Sequence, residues 1–277
     1  MENNKNLKNK DNIVAHQLMS RKIDEYIKMF WVGLMDGDGS IQVNHWRKKS
    51  LQFRLVIKLY NNISNYDMLI NIAKVIGGSV RITGKDFREV IWVVNKKETV
   101  IDIIKIFEIY PLLTSRKICQ LLFLNRCLLE NSVDFYLLNR DNKYTKQNNI
   151  IKFFETNLSC GVNKECLNTS SFYKSMLFSN YFNSWLSGFI EAEGCFSIRK
   201  NNNHSFSIGH NNDFYLINRI KEYTKSTNIV RNTNGNFYSL EIYRKETLKQ
   251  IINHFNFYPL LGEKAESLKR FNQIIQL

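Results

Sequence analysis

The tetrapeptide YPLL occurs twice, from Tyr110 to Leu113 and from Tyr258 to Leu261, and it accounts for both prolines of the chain. Each copy ends a similar apolar-periodic run, KETVIDIIKIFEIYPLL in one half and KETLKQIINHFNFYPLL in the other. Upstream, WVGLMDGDGSI from Trp31 is answered by LSGFIEAEGCF from Leu186, which sets Gly33 over Gly188, Asp36 over Glu191, Asp38 over Glu193 and Gly39 over Gly194. A single GLMDGDG could be an ordinary helix stop followed by a turn. Two landmarks repeated in the same order imply a duplicated folding unit instead. From Asp38 to Pro111 is 73 positions and from Glu193 to Pro259 is 66, so the first copy carries a seven-residue insertion, which fits a first-half hairpin loop.

Periodicity gives each unit the same order of elements. SRKIDEYIKMFWVGLMDG is apolar at helical spacing, SIQVNHW and LQFRLVIKLY alternate as a hairpin would, and YDMLINIAKVIGG is an amphipathic helix stopped by Gly77 and Gly78. SVRITG and REVIWVVN alternate again, and ETVIDIIKIFEIY closes as a helix. The second half repeats this through CFSIRK, SFSIGH, FYLINRIKEYT, NIVRN, NFYSLEIYR and ETLKQIINHF. The expected fold class is α+β, with two pseudo-symmetric αββαββα repeats that each carry a four-stranded antiparallel sheet. Residues 1–25 read as a polar tail, 26–130 as the first repeat, 131–180 as a polar linker and 181–277 as the second repeat.

With 39 Lys+Arg against 25 Asp+Glu, the formal charge is +14 and the pI about 9.5. Basic clusters lie in both halves, so the charge belongs to folded surface and favours a polyanionic partner, with nucleic acid foremost. The five cysteines and five histidines are scattered and match no zinc or redox spacing, so a reducing compartment and no structural metal are expected. The most apolar stretches are broken by charges too early to span a bilayer, and no targeting peptide is evident at the start. Abundant Asn, Lys, Ile, Phe and Tyr point to AT-rich codons, as in an organellar genome.

The paired GLMDGDG and GFIEAEG, about 155 positions apart and each followed by antiparallel strands, resemble the two signature helices of a monomeric LAGLIDADG homing endonuclease. The resemblance runs from about Tyr26 to the C-terminus, and YFNSWLSGFIEAEGCFSI is close to members encoded by organellar introns. It implies that the two sheets form a DNA-binding saddle, and that a monomer hydrolyses both strands of a long asymmetric DNA site, promotes intron homing and resides in a mitochondrion. It also implies Mg²⁺ held by the last acid of each motif, Asp38 and Glu193, with Mn²⁺ as a substitute and Ca²⁺ supporting binding without cleavage. Gly37 and Ala192 are included among the metal positions. A maturase acting on intron RNA and a non-catalytic DNA-binding descendant are the alternatives, and keeping both final acids argues against the second of these.

Small residues at Gly33, Gly37, Gly188 and Ala192 suit two helices packed closely along a symmetry axis. Carboxylates at helix C-termini, where the potential is already negative, suit a divalent cation. Asp36 and Glu191 should instead tie the helix ends together. The residue five past each proline is basic, Arg116 and Lys264, and suits stabilisation of transition-state charge, with Lys117 as the alternative to Arg116. Asn61 and His210, at the ends of the second strands, fall near where the family resemblance implies a polar residue that organises water. Period-two alternation assigns Gln42, Asn44, Trp46 and Lys48 to one polar strand face, and Ser197, Arg199 and Asn201 to its counterpart. Gln52, Arg54, Lys58, Arg81 and Arg88, with Ser205, Ser207 and Arg231, complete a DNA-reading surface suited to major-groove edges.

Overall fold

The computed structural model describes residues 21–159, 180–200 and 204–275. The expected tail up to residue 20, part of the expected linker (160–179) and Asn201 lie outside the described residues. In the first repeat, helix α1 (residues 21–37) leads into β1 (Gly39–Trp46), β2 (Ser50–Tyr60), α2 (Ile63–Ile76), β3 (Ser79–Thr83) and β4 (Glu89–Val94). Helices α3 (Lys97–Ile104), α4 (Ile106–Ile109) and α5 (Ser115–Glu130) follow. Then come α6 (Val133–Asn139) and α7 (Gln147–Ser159). The second repeat is α8 (Asn180–Glu193), β5 (Cys195–Ser197), β6 (Ser205–Asn211), α9 (Phe214–Tyr223), β7 (Arg231–Thr233), β8 (Phe237–Ile242), α10 (Lys245–Phe257) and α11 (Glu263–Ile275).

The sheets have matching antiparallel orders, β1-β2-β4-β3 and β5-β6-β8-β7. Alternation decides which face is buried: Phe53, Leu55 and Ile57 point into the core, as do Val90 and Trp92, and in the second sheet Phe206, Ile208, Leu240 and Ile242 do the same. Strand register shows that the first hairpin is the longer one. Ser40 pairs with Val56, 16 positions on, while its counterpart Cys195 pairs with Ser207, 12 positions on.

Two features differ from the sequence expectation. Each repeat gains a helix after its proline, α5 and α11, because the proline ends one helix and the chain behind it starts another. The stretch expected to be a polar linker is largely helical where it is described and contributes to the core: Phe154 is buried and stacks on Tyr215 at 4.6 Å, and Tyr136 is buried too. Its polar residues occupy the outer face, which the composition reflected.

At the centre, the C-terminal half of α1 and most of α8 are buried on nearly every side. Phe30, Trp31, Val32, Leu34 and Met35 are fully buried, as are Phe182, Trp185 and Phe189, so over this length neither helix has a solvent face to spare. They touch backbone to backbone. A Cβ on Gly33 would fall 1.9 Å from the carbonyl oxygen of Trp185, and one on Gly188 would fall 1.9 Å from that of Phe30. The helices therefore approach as closely as bare backbone allows. Each is also hooked to the other repeat, since the Tyr26 hydroxyl donates to the Pro259 carbonyl and the Tyr181 hydroxyl to the Pro111 carbonyl. The prolines, by fixing where the following helix starts, supply the carbonyls for both hooks.

The pseudo-symmetry breaks beside α8. The Ser187 hydroxyl donates to the Tyr258 carbonyl at 2.7 Å, so at its 3.0 Å contact with His254 Nε2 it must accept. That places the imidazole proton on Nε2 and leaves Nδ1 to accept from the Tyr223 hydroxyl at 2.7 Å. Burial holds His254 neutral, depressing its pKa from the ordinary 6.5 to about 4. Its contribution to stability is complete above pH 6.5 and is lost as pH falls through 4.

Two outcomes are expected. Gly33→Ala or Gly188→Ala should lower unfolding free energy in urea by about 3 kcal/mol or more, because the new methyl meets a carbonyl that cannot move aside. The stability advantage of wild type over His254→Gln should shrink by up to about 3 kcal/mol between pH 6.5 and 4, as the buried imidazole is forced to charge.

Candidate active site and nucleic-acid interface

The two helices end side by side. Asp38 N donates to the Leu34 carbonyl at 3.0 Å, and Gly194 N to that of Ile190 at 2.8 Å, so Asp38 and Glu193 stand at the two C-termini. Contact continues to this point: a Cβ on Gly37 would lie 2.3 Å from the Ala192 Cβ and 3.6 Å from Glu193 Oε1. The pKa of each acid is raised, in the first place by burial, and for Glu193 also by the facing charge of Asp38. Lys117 and Lys264 pull both values down, and His210 pulls on Glu193. Two acids thus meet at one seam, with three cationic or potentially cationic groups around them.

Asp36 and Glu191, two residues earlier, turn the other way and do matching work. Asp36 accepts from Leu113 N (2.8 Å), Thr114 N (3.1 Å), the Thr114 hydroxyl (2.6 Å) and Trp185 Nε1 (2.8 Å). Glu191 accepts from Leu261 N, Gly262 N and Lys264 N at 3.3, 3.0 and 2.8 Å. Each carboxylate thus caps the helix that follows its repeat's YPLL segment. Burial pushes the Asp36 carboxyl up to about 6, and the bonds from Thr114, Leu113 and Trp185 offset part of that. Because Trp185 belongs to α8, this cap also ties the repeats together.

The structure places the remaining expected residues as follows. Lys264 acts on both acids. Arg116 is exposed, and its guanidinium lies over the Tyr144 ring at 4.6 Å; Lys117 carries the charge toward the acids, lowered in pKa by burial while Asp36, Asp38 and Glu193 raise it. One position on a helix is about 100° of rotation, which separates these two neighbours. Counting from each proline aligns Lys264 with Arg116, so the cation is one residue displaced in the first repeat and Ala265 stands opposite Lys117.

Asn61 and His210 do not occupy equivalent positions. Strand register puts His210 level with Leu59, and Asn61 level with Asn212. The Asn61 amide donates to the Phe87 carbonyl at 2.8 Å and holds the β3–β4 turn. His210 lies under its sheet, 3.1 Å from Asp213 and near Glu193; burial opposes its charged form, but Asp213, Glu193 and Asp36 outweigh it and raise its pKa.

The open sheet faces carry most of the residues expected to read DNA. Gln42 pairs across with Arg54 and Asn44 with Gln52, while Trp46, Lys58 and Arg81 share that face. Ser197, Ser207 and Arg231 share the face of the other sheet. Three placements correct the alternation argument. Lys48 is in the turn after β1, with positive φ at Arg47 and Lys48, because β1 stops at Trp46. Arg88 precedes β4 and faces Asp86 at 3.4 Å. Arg199 lies past the end of β5 and, with the fully buried Ser205, is engaged by Glu241, at 2.7 and 2.9 Å. Glu241 was missed: alternation in SLEIY gives its face, and only the strand register sets it opposite Ser207.

The centre fits a hard divalent cation. Among the described residues no group of three or more His, Cys, Asp or Glu could hold a metal, so the chain offers two carboxylates, and helix-end carbonyls are the only donors at Gly37 and Ala192. A cation that keeps water and accepts phosphate oxygens, as Mg²⁺ does, matches this incomplete set. Asp38 is exposed and Glu193 half-buried, so both carboxylates are open to a cation from solvent, while partial desolvation raises the pKa of each.

The family model for the LAGLIDADG endonuclease matches residues 31–127 and 186–275, once per repeat. The chain belongs to the LAGLIDADG endonuclease family. Among curated relatives, the probable intron-encoded endonuclease aI3 of Debaryomyces hansenii is 52% identical over 90% of this chain, which spans only 38% of that longer protein. The Dictyostelium citrinum protein of the same description is 45% identical over 91% of this chain and 96% of its own length. Among solved structures, the LAGLIDADG homing endonuclease I-LtrWI bound to target DNA aligns with a TM-score of 0.63 at 21% identity, covering 91% of this chain and 90% of that one. I-AabMI bound to uncleaved DNA gives 0.61 at 21%, covering 90% of each. The α+β fold with two four-stranded antiparallel sheets is therefore that of the family's meganucleases.

For Asp36, replacement by Ala leaves three buried N–H donors and a hydroxyl without their acceptor, so a stability loss of about 3 kcal/mol is expected in urea unfolding. Asp38→Ala, which removes an exposed carboxylate that accepts no hydrogen bond comparable to those of Asp36, should be nearly neutral in the same assay.

Proposed function

We propose that this chain is a monomeric, site-specific endonuclease that cuts both strands of duplex DNA and promotes homing of its intron in a mitochondrial setting. The observation that carries the reading is the convergence of Asp38 and Glu193 at abutting helix ends between two polar sheet faces. The intron-encoded relatives and AT-rich codon usage support the setting. The two repeats complete the acid pair within one chain, so no second copy is required.

Asp38 and Glu193 hold the divalent cation, Mg²⁺ or Mn²⁺, which when bound supplies neutralisation of the phosphodiester and a more acidic water. Lys117 and Lys264, drawn to the acids in the free protein, stabilise the added negative charge as each phosphate is attacked. The residue Arg116, stacked on Tyr144, takes no part in that. His210 and Asp213 form a polar pair that orders water on the Glu193 side. The open faces, through Gln42, Asn44, Gln52 and Arg54 in one sheet and Ser197, Ser207 and Arg231 in the other, offer donors and acceptors to major-groove edges. Because the two faces carry different side chains, the preferred site is asymmetric. Ca²⁺ supports binding without cutting.

Linearisation of a plasmid bearing the intronless junction tests this. Asp38→Asn or Glu193→Gln should reduce cutting by about 10³-fold while leaving affinity in Ca²⁺ near that of wild type, and Lys117→Met should reduce it by about 10²-fold. Unimpaired cutting by the Asp38→Asn, Glu193→Gln double variant would refute the assignment.

A further inference from the structure

A groove of about 350 Å³ runs between the open face of β1 and the first part of the segment joining the repeats. Ser40, Gln42 and Asn44 form one wall; Arg116, Arg140 and Lys143 form the other, around Tyr144. Among the described residues no carboxylate lines it. Arg140 Nε lies 3.7 Å from Asp141, but both side chains are exposed, so this pair is weakened by solvent.

The groove is built rather than incidental. Gln120 accepts from Ile41 N at 3.2 Å on the edge strand and donates to the Tyr144 hydroxyl at 3.1 Å, which fixes the ring beside β1. Around that ring stand the Arg116 guanidinium at 4.6 Å and the Lys143 ammonium at 5.1 Å from its centroid. An aromatic face can hold cations near it, yet two like charges on one ring repel each other unless an anion comes between them. In the second repeat, Leu268 occupies the position of Gln120 by count from the proline, so that half has no equivalent of the Gln120 link to Tyr144.

We infer that Arg116, Arg140 and Lys143, held by Tyr144, clamp the sugar-phosphate backbone of duplex DNA alongside the first sheet, making the segment between the repeats part of the nucleic-acid interface. This rests on the endonuclease reading and extends it: one half-site is gripped through its phosphates by a device the other half lacks. The charges sit beside the polar face of β1, so a strand whose bases meet Gln42 and Asn44 would present its backbone to them. Such contacts add affinity without sequence information.

The test uses the full-length protein and a mixed-sequence duplex in Ca²⁺, because the effect is independent of sequence. Affinity is measured across a salt series for wild type, for Arg140→Ala/Lys143→Ala, and for a charge-matched control, Lys74→Ala/Lys105→Ala, whose exposed cations lie on α2 and just after α3. The groove variant should lose about 2 from the magnitude of the log–log slope, near 0.9 per phosphate contact, and the control should keep the wild-type slope. Equal slopes in the groove variant and wild type would overturn this inference while leaving the endonuclease reading intact. Failure of the wild type to bind any duplex would overturn both.

Discussion

Everything in this molecule depends on how closely α1 and α8 meet. At Gly33 and Gly188 the contact is backbone on backbone, with no room for a methyl group. Two helices that close run together to their ends, and their ends are where Asp38 and Glu193 stand. A looser crossing would still bury apolar surface, but it would part the acids. The tyrosine hooks to the Pro111 and Pro259 carbonyls, and the carboxylate caps made by Asp36 and Glu191, all act on the same contact. Each of them fixes one helix against an element of the repeat opposite or behind it.

Near-symmetry of the scaffold coexists with asymmetry of the chemistry. Asp36 and Glu191 cap equivalent helices, yet the cations beside the acids are not equivalent: Lys264 answers to Arg116 by position but to Lys117 by what its charge faces. His210 has an apolar counterpart, Leu59, and the Lys58–Glu89 ion pair of one sheet is replaced by Gly209 and Phe237 in the other, where the ring lies over the glycine. Duplication provides two similar frames, and substitution on each frame lets the halves meet different surroundings.

The fold and the acid pair were legible in the sequence because both rest on local rules. Small residues four apart, alternation along strands and repeated prolines each act at short range, so α1, α8 and the two sheets could be placed from composition of the individual stretches. Residues whose roles depend on rotation or register were harder to place. Lys117 differs from Arg116 by one helical step, and only the start of α5 decides which faces inward. Asn61 and His210 look alike at strand ends until pairing shows that they are out of step. Ser205 and Arg199 read as free donors until Glu241 is brought across from β8, a contact between strands that are distant in sequence. The segment after α5 read as a linker because its many polar residues mask the packing of Tyr136 and Phe154, and of Phe135, Leu137, Ile150, Ile151 and Phe153 beside them.

The central claim is that Asp38 and Glu193 form one cation site, made by the meeting of two helix ends. Calorimetric titration of the protein–duplex complex with Ca²⁺, for wild type, Asp38→Asn, Glu193→Gln and the double variant, measures this directly. The account predicts strong coupling, with either single change removing nearly all the affinity that the double change removes. Losses that simply add, as for two independent carboxylates, would contradict it.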